Sequence, residues 1–133
     1  MIALQVNSYV KLDELQREIK RRFPDLAALT DMEQKRLWGS DSAELLYLWF
    51  ESFANVLNQQ MAKGAGLDNY VAVAELIKHG LMVGDDEVKR CIDVSFIENL
   101  FWQVAPEKAA LYWAVTLPSL QRLYVAFHRR TPC

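Results

Sequence analysis

Apolar side chains recur along this chain at helical spacing almost throughout. Leu12, Leu15, Ile19 and Phe23 fall three or four residues apart, so they share one face of a helix over 13–23. Arg17, Glu18, Lys20 and Arg21 cover the rest of that helix. Pro24 stops it or begins a turn. Residues 25–29 read as a short apolar turn. Thr30 followed by Glu33 has the spacing of a capping box, which predicts a short helix from there to Trp38, broken at Gly39 and Ser40.

Asp41 and Glu44 repeat the same start signal. The strongest helical pattern in the chain follows, over 42–63. Leu46, Trp49, Phe50, Phe53, Leu57 and Met61 lie on one face, and Leu45, Leu48 and Val56 widen it until most of the helix should be buried. Gly64 and Gly66 end it. Asp68 is placed to cap a helix over 69–82 with Tyr70, Val73, Ala74, Ile77 and Leu81 inward. After Gly84, the run Asp85, Asp86 and Glu87 marks a new helix N-terminus, where negative charge is favourable. That helix is predicted to reach Gln103, with Val88, Cys91, Ile92, Ser95, Phe96, Asn99 and Leu100 inward. Pro106 and Pro118 suit the first turns of two more helices. Ile2, Leu4 and Val6 alternate with polar or small residues, which predicts a short extended arm over 1–10. Residues 131–133 should fray. The expectation is one all-α domain over 1–133, a bundle or a short solenoid-like stack of six or seven helices.

Composition narrows the function classes. The chain has 133 residues, 52% hydrophobic and 24% charged, which suits a single core without metal or disulfide staples. With 15 basic and 17 acidic residues the formal charge is -2, so binding nucleic acid through phosphate neutralisation is not expected. Cys91 and Cys133 are too far apart in sequence for a disulfide framework or a zinc site and read as reduced thiols, Cys91 as a core residue. No apolar run approaches the ~20 residues of a membrane span. A soluble, cytoplasmic protein is expected, without membrane contact.

Candidate chemistry is sparse. His79 and His128 are the only histidines, and Glu75 with His79 is the sole pair at metal-ligand spacing on one helix; a solvated polar pair is the simpler reading. Gly64-Ala65-Gly66 lacks the rest of any phosphate-loop fingerprint. No nucleophile elbow is present. No cofactor, no metal and no enzymatic activity are expected. Among the tryptophans, Trp49 and Trp102 fit core positions, whereas Trp38 and Trp113 sit near helix ends, where exposed indoles could anchor a protein partner.

The stretch YVAVAELIKHGLMVGDDEVKRCIDVSFIENLFW, with its glycine, acidic turn and V-x-x-x-I-x-V-x-F-I-E-N-L helix, resembles a group of small helical bacterial proteins of uncharacterised-domain type. Some of that group look like immunity proteins encoded beside polymorphic or contact-dependent growth-inhibition toxins. LWFESFANVLNQQMAKG is similar to the group's central helix, so the resemblance runs from about Glu44 to Trp102. The matching positions are Gly84, Asp85, Val88, Phe96, Ile97 and Glu98. The resemblance implies stoichiometric inhibition of a cognate toxin's C-terminal domain by occlusion. Toxins of this kind are often basic nucleases, so Asp85, Asp86, Glu87, Asp93 and Glu98 are the partner-binding candidates. A helical adaptor or a homodimeric regulatory module is the competing reading.

Overall fold

The computed structural model of the chain describes residues 9–40 and 45–133. Seven helices are present among them: α1 (Leu12–Arg22), α2 (Pro24–Trp38), α3 (Leu46–Ala62), α4 (Leu67–Val83), α5 (Asp86–Cys91), α6 (Pro106–Trp113) and α7 (Pro118–His128). α5 runs directly into a π-helical segment, Ile92–Ile97. The all-α architecture is the one predicted. The arm residues Ile2, Leu4 and Val6, and the start signal Asp41–Glu44, lie outside the described residues.

The long helix α3 is the axis of the molecule. Trp49, Phe50, Phe53, Ala54, Val56, Leu57 and Met61 are all buried, which takes in almost every side of it. Fully burying a large apolar side chain contributes roughly 1.5–3 kcal/mol, so this one helix carries much of the core. Trp49 stacks on Phe53 at 5.3 Å between ring centroids, and Phe53 meets Phe96 of the π segment at 5.8 Å. α1, α2, the π segment and α6 all pack on α3. A solenoid places each unit only against its neighbours, so the arrangement is a bundle around a central helix.

Trp49 also ties three helices together through its polar edge. Its indole N–H donates to Asp31 of α2 at 2.8 Å, and Lys20 of α1 lies 3.5 Å from the same carboxylate and over the indole ring.

Two predicted elements are corrected. The turn over 25–29 and the capping box at Thr30 do not exist, because α2 is continuous from Pro24. The missing N–H of proline costs nothing at a first helical position, so α2 starts one residue after α1 ends. Thr30 is fully buried inside α2, and its hydroxyl donates to the Leu26 carbonyl at 2.7 Å. Thr30, Glu33 and Gln34 occupy inward positions of α2, which hid its period from a reading of apolar residues. The other correction concerns 92–103. The regular helix stops at Cys91, widens through Ile97, and then breaks into turns. Ser95, Phe96 and Ile97 are all buried in the widened segment.

Smaller departures have simple causes. Gly66 takes the cap of α4 in a left-handed conformation (φ 71°), which leaves Asp68 as a charge in the first turn. Val10 pairs with the α4–α5 turn: its N–H donates to Val83 and its carbonyl accepts from Asp85, both at 3.0 Å. No helix among the described residues is long and apolar enough to cross a membrane.

Candidate protein-binding site

The least regular backbone in the bundle follows the π segment. Phe101 (φ 68°) and Gln103 (φ 57°) are both left-handed. For residues with a Cβ this conformation costs roughly 1–2 kcal/mol each, and it persists only where the surroundings enforce it. Asn58 of α3 does so at Phe101. Its side-chain oxygen accepts from the Phe101 N–H at 2.7 Å, and its NH2 group donates to the Asn99 carbonyl at 2.8 Å. Asn99 in turn donates to the Ser95 carbonyl at 2.8 Å.

The clamp sends consecutive side chains in opposite directions. Phe101 turns inward among Tyr70, Trp113 and Tyr124, with centroids 5.6–6.4 Å away. Trp102 turns outward and is 65% exposed. The expectation that Trp102 is a core residue is therefore wrong: the left-handed backbone at Phe101 reverses the face that helical periodicity assigns. Trp38 is exposed, as its position at a helix end suggested, and Trp113 packs partly against the core.

Trp102 stands between two grooves. One, of about 340 Å³, lies between α2 and α3 and is lined by Arg36, Leu37, Asn55 and Gln59. There Glu33 holds Arg36 through two contacts of 3.0 Å. The Asn55 carboxamide makes no hydrogen bond among the described residues. The other groove, of about 560 Å³, is lined by Glu98, Phe101, Tyr124, His128 and Arg130. An indole held out on a fixed loop between two concavities is the geometry of an interface anchor. A further groove of about 460 Å³ lies beside α1, with Tyr9, Glu14, Glu18 and His79 on its walls. Its acids are engaged: Glu14 accepts from the Lys11 N–H and Glu18 pairs with Arg21.

The five acidic candidates do not form one patch. Asp85 is half-buried and caps α5, accepting from the Val88 N–H at 2.9 Å. Asp86 and Glu87 are exposed in the first turn of α5, with Lys89 and Arg90 close behind in the same helix. Asp93 and Glu98 stand seven and twelve residues beyond Asp86, which at ~1.5 Å per residue is roughly 10 and 18 Å along the axis. Burial lifts the Glu98 carboxyl above the ordinary carboxylate range, and the nearby Asp93 charge adds to the effect. Only Glu98 of the five lines a groove beside Trp102.

The remaining chemistry-bearing groups stay apart. Glu75 and His79 are both exposed on α4, and no group of three metal-ligating side chains occurs among the described residues. Cys91 is fully buried, and burial pushes its thiol up to about 12, so it is a core residue as predicted.

The fold and the site together define a class: a single all-α bundle that presents an anchored aromatic ridge on its surface. Within it, the chain belongs to the family described as Domain of unknown function (DUF7674), whose sequence profile matches residues 17–130. No curated protein and no solved structure matches the chain.

Proposed function

We propose that this protein is an immunity protein that binds a cognate bacterial toxin domain in the cytoplasm and neutralises it by stoichiometric occlusion. The observation that carries the reading is the presentation of Trp102. A buried carboxamide holds the left-handed Phe101, whose ring is buried, and the same turn leaves the large Trp102 indole in solvent, where it adds little burial to the isolated fold. An indole held out in this way gains burial when a partner covers it. Glu98 supplies an acidic neighbour for a cationic toxin residue, and Asp86 and Glu87 supply a more distant steering charge. A basic nuclease domain is the partner chemistry that fits.

A homodimeric or adaptor role is the second reading. It is favoured by the apolar side chains exposed on α6 and α7, Leu111 at 60%, Phe127 at 52% and Val125 at 39%.

The test is co-expression with the C-terminal domain encoded by the gene immediately upstream. The full chain should co-purify with that domain and restore growth. Trp102→Ala should keep the fold and weaken binding by about 2 kcal/mol or more, roughly thirtyfold. A chain that neither binds nor protects ends the immunity reading. A chain that elutes at twice its mass, and loses that state in Leu111→Asp, supports the second.

A further inference from the structure

We propose that His128 is a proton-operated latch on the groove beside Trp102: neutral, it holds the last turn of α7 against the end of the π segment, and protonation releases that turn together with residues 129–133.

His128 is the final residue of α7, and the chain leaves the helix through Arg129 in a left-handed conformation (φ 63°). Its ring stacks on Tyr124 with centroids 4.0 Å apart and meets the edge of Phe127 at 4.8 Å. Nε2 is shut off from solvent and has no hydrogen-bond partner. The carbonyls of Ile97 and Glu98 lie near the ring, but neither bonds to that nitrogen. A neutral imidazole tolerates such a seat, whereas an imidazolium needs a partner or water for each N–H.

The end of α7 has little else to hold it. Only Leu120 and Tyr124 of its eleven residues are buried. Tyr124 belongs to the ring cluster of Phe101 and Trp113, which Tyr70 of α4 joins through Phe101. The Tyr124–His128 stack is thus the outermost layer of the cluster that positions Phe101, and hence Trp102.

The charges around the ring decide the sign. Arg130 from the following segment opposes a proton on His128. Glu98, Cys133 and Tyr124 share the groove. The Ile97 and Glu98 carbonyls favour the cation, as does the C-terminal end of α7. Burial outweighs them and lowers the imidazole below its ordinary value. The latched state therefore binds fewer protons than the released state. Its stabilisation is complete above about pH 6.5 and fades as the pH falls through the lowered value.

Opening of the latch is a property of the fold alone; its consequence for binding rests on the proposed function. The experiment uses the full chain without a partner, so the two can fail separately. A ¹H–¹⁵N and imidazole titration from pH 8 to 5 follows His128, the amides of 129–133 and the indoles of Trp102 and Trp113. The His128 midpoint should lie below about 6.5, and the tail amides and both indoles should move with that midpoint. In His128→Phe, which keeps a ring on Tyr124, the tail and indole response should be lost. A tail that stays still while His128 titrates overturns the latch, as does a His128→Phe chain with the wild-type response. If that variant does not fold, the match or mismatch of midpoints in the wild type decides.

Discussion

Asn58→Ala isolates the clamp under the ridge. The substitution removes two hydrogen bonds, one from the buried Phe101 N–H at 2.7 Å and one to the Asn99 carbonyl at 2.8 Å. The Phe101 N–H has no other partner to turn to, whereas the Asn99 carbonyl still accepts from the Trp102 N–H at 3.3 Å. Leaving the buried Phe101 N–H unsatisfied costs roughly 1–3 kcal/mol, and the lost bond to the already bonded Asn99 carbonyl adds about 0.5–1.5 kcal/mol. The strain at Phe101 then relaxes, which returns some of that cost, and about 1–3 kcal/mol should remain. Against a total stability on the order of 5–15 kcal/mol this is severe. Urea unfolding measures it directly: with a slope of about 2 kcal/mol per molar, the midpoint should fall by roughly 0.5–1.5 M at an unchanged slope. Asn58→Asp should be worse at neutral pH, since its second oxygen faces the Asn99 carbonyl instead of donating to it. A midpoint for Asn58→Ala within the error of wild type would refute the claim that this carboxamide holds the loop.

Two glycines should lose stability to different degrees when replaced by alanine. At Gly84 an added Cβ would lie 2.4 Å from the Gly80 carbonyl oxygen and 2.5 Å from Val88, so unfolding curves should show a loss of about 3 kcal/mol or more. At Gly39 nothing stands within 4 Å and only the left-handed φ of 73° is penalised, so the loss should be about 1–2 kcal/mol. The thiols should separate cleanly: Cys133 is exposed and Cys91 is buried with its thiol near 12, so a thiol reagent should titrate one group in the native chain and two in denaturant. Glu98 binds its proton more tightly in the folded chain than in the unfolded one, so its charge opposes folding at neutral pH. Glu98→Gln should therefore raise the urea midpoint at pH 7, with the gain disappearing below about pH 4.

Periodicity carried most of the fold because most inward positions are apolar. α1, α3, α4 and the N-terminus of α5 follow from spacing and from the Asp85 cap. α2 escaped where Thr30, Glu33 and Gln34 take inward positions and make a continuous helix look like a turn and a cap. The site escaped for a different reason. Residues 88–100 are spaced as an ordinary helix, and nothing local in them announces the widened turn or the reversal at Phe101. The reversal depends on Asn58, forty-three residues away from Phe101. A signal existed in α3, where Asn58 sits beside Leu57 and Met61 at a buried position while the carboxamides of Asn55, Gln59 and Gln60 lie further out. It marked a buried polar group in need of partners without saying where they were.

The π-helical segment has a consequence for how a surface of this kind can change. An α-helix turns the chain by ~100° per residue, and a π turn carries one residue more than an α turn. Loss of a single residue between Ile92 and Ile97 would let the stretch close into an ordinary helix and rotate everything after it by about that angle. The side chain delivered to the ridge would then be a neighbour of Trp102, on the same scaffold and over the same core. A one-codon deletion could thus exchange the anchor without any substitution at the surface, and a one-codon insertion could restore it.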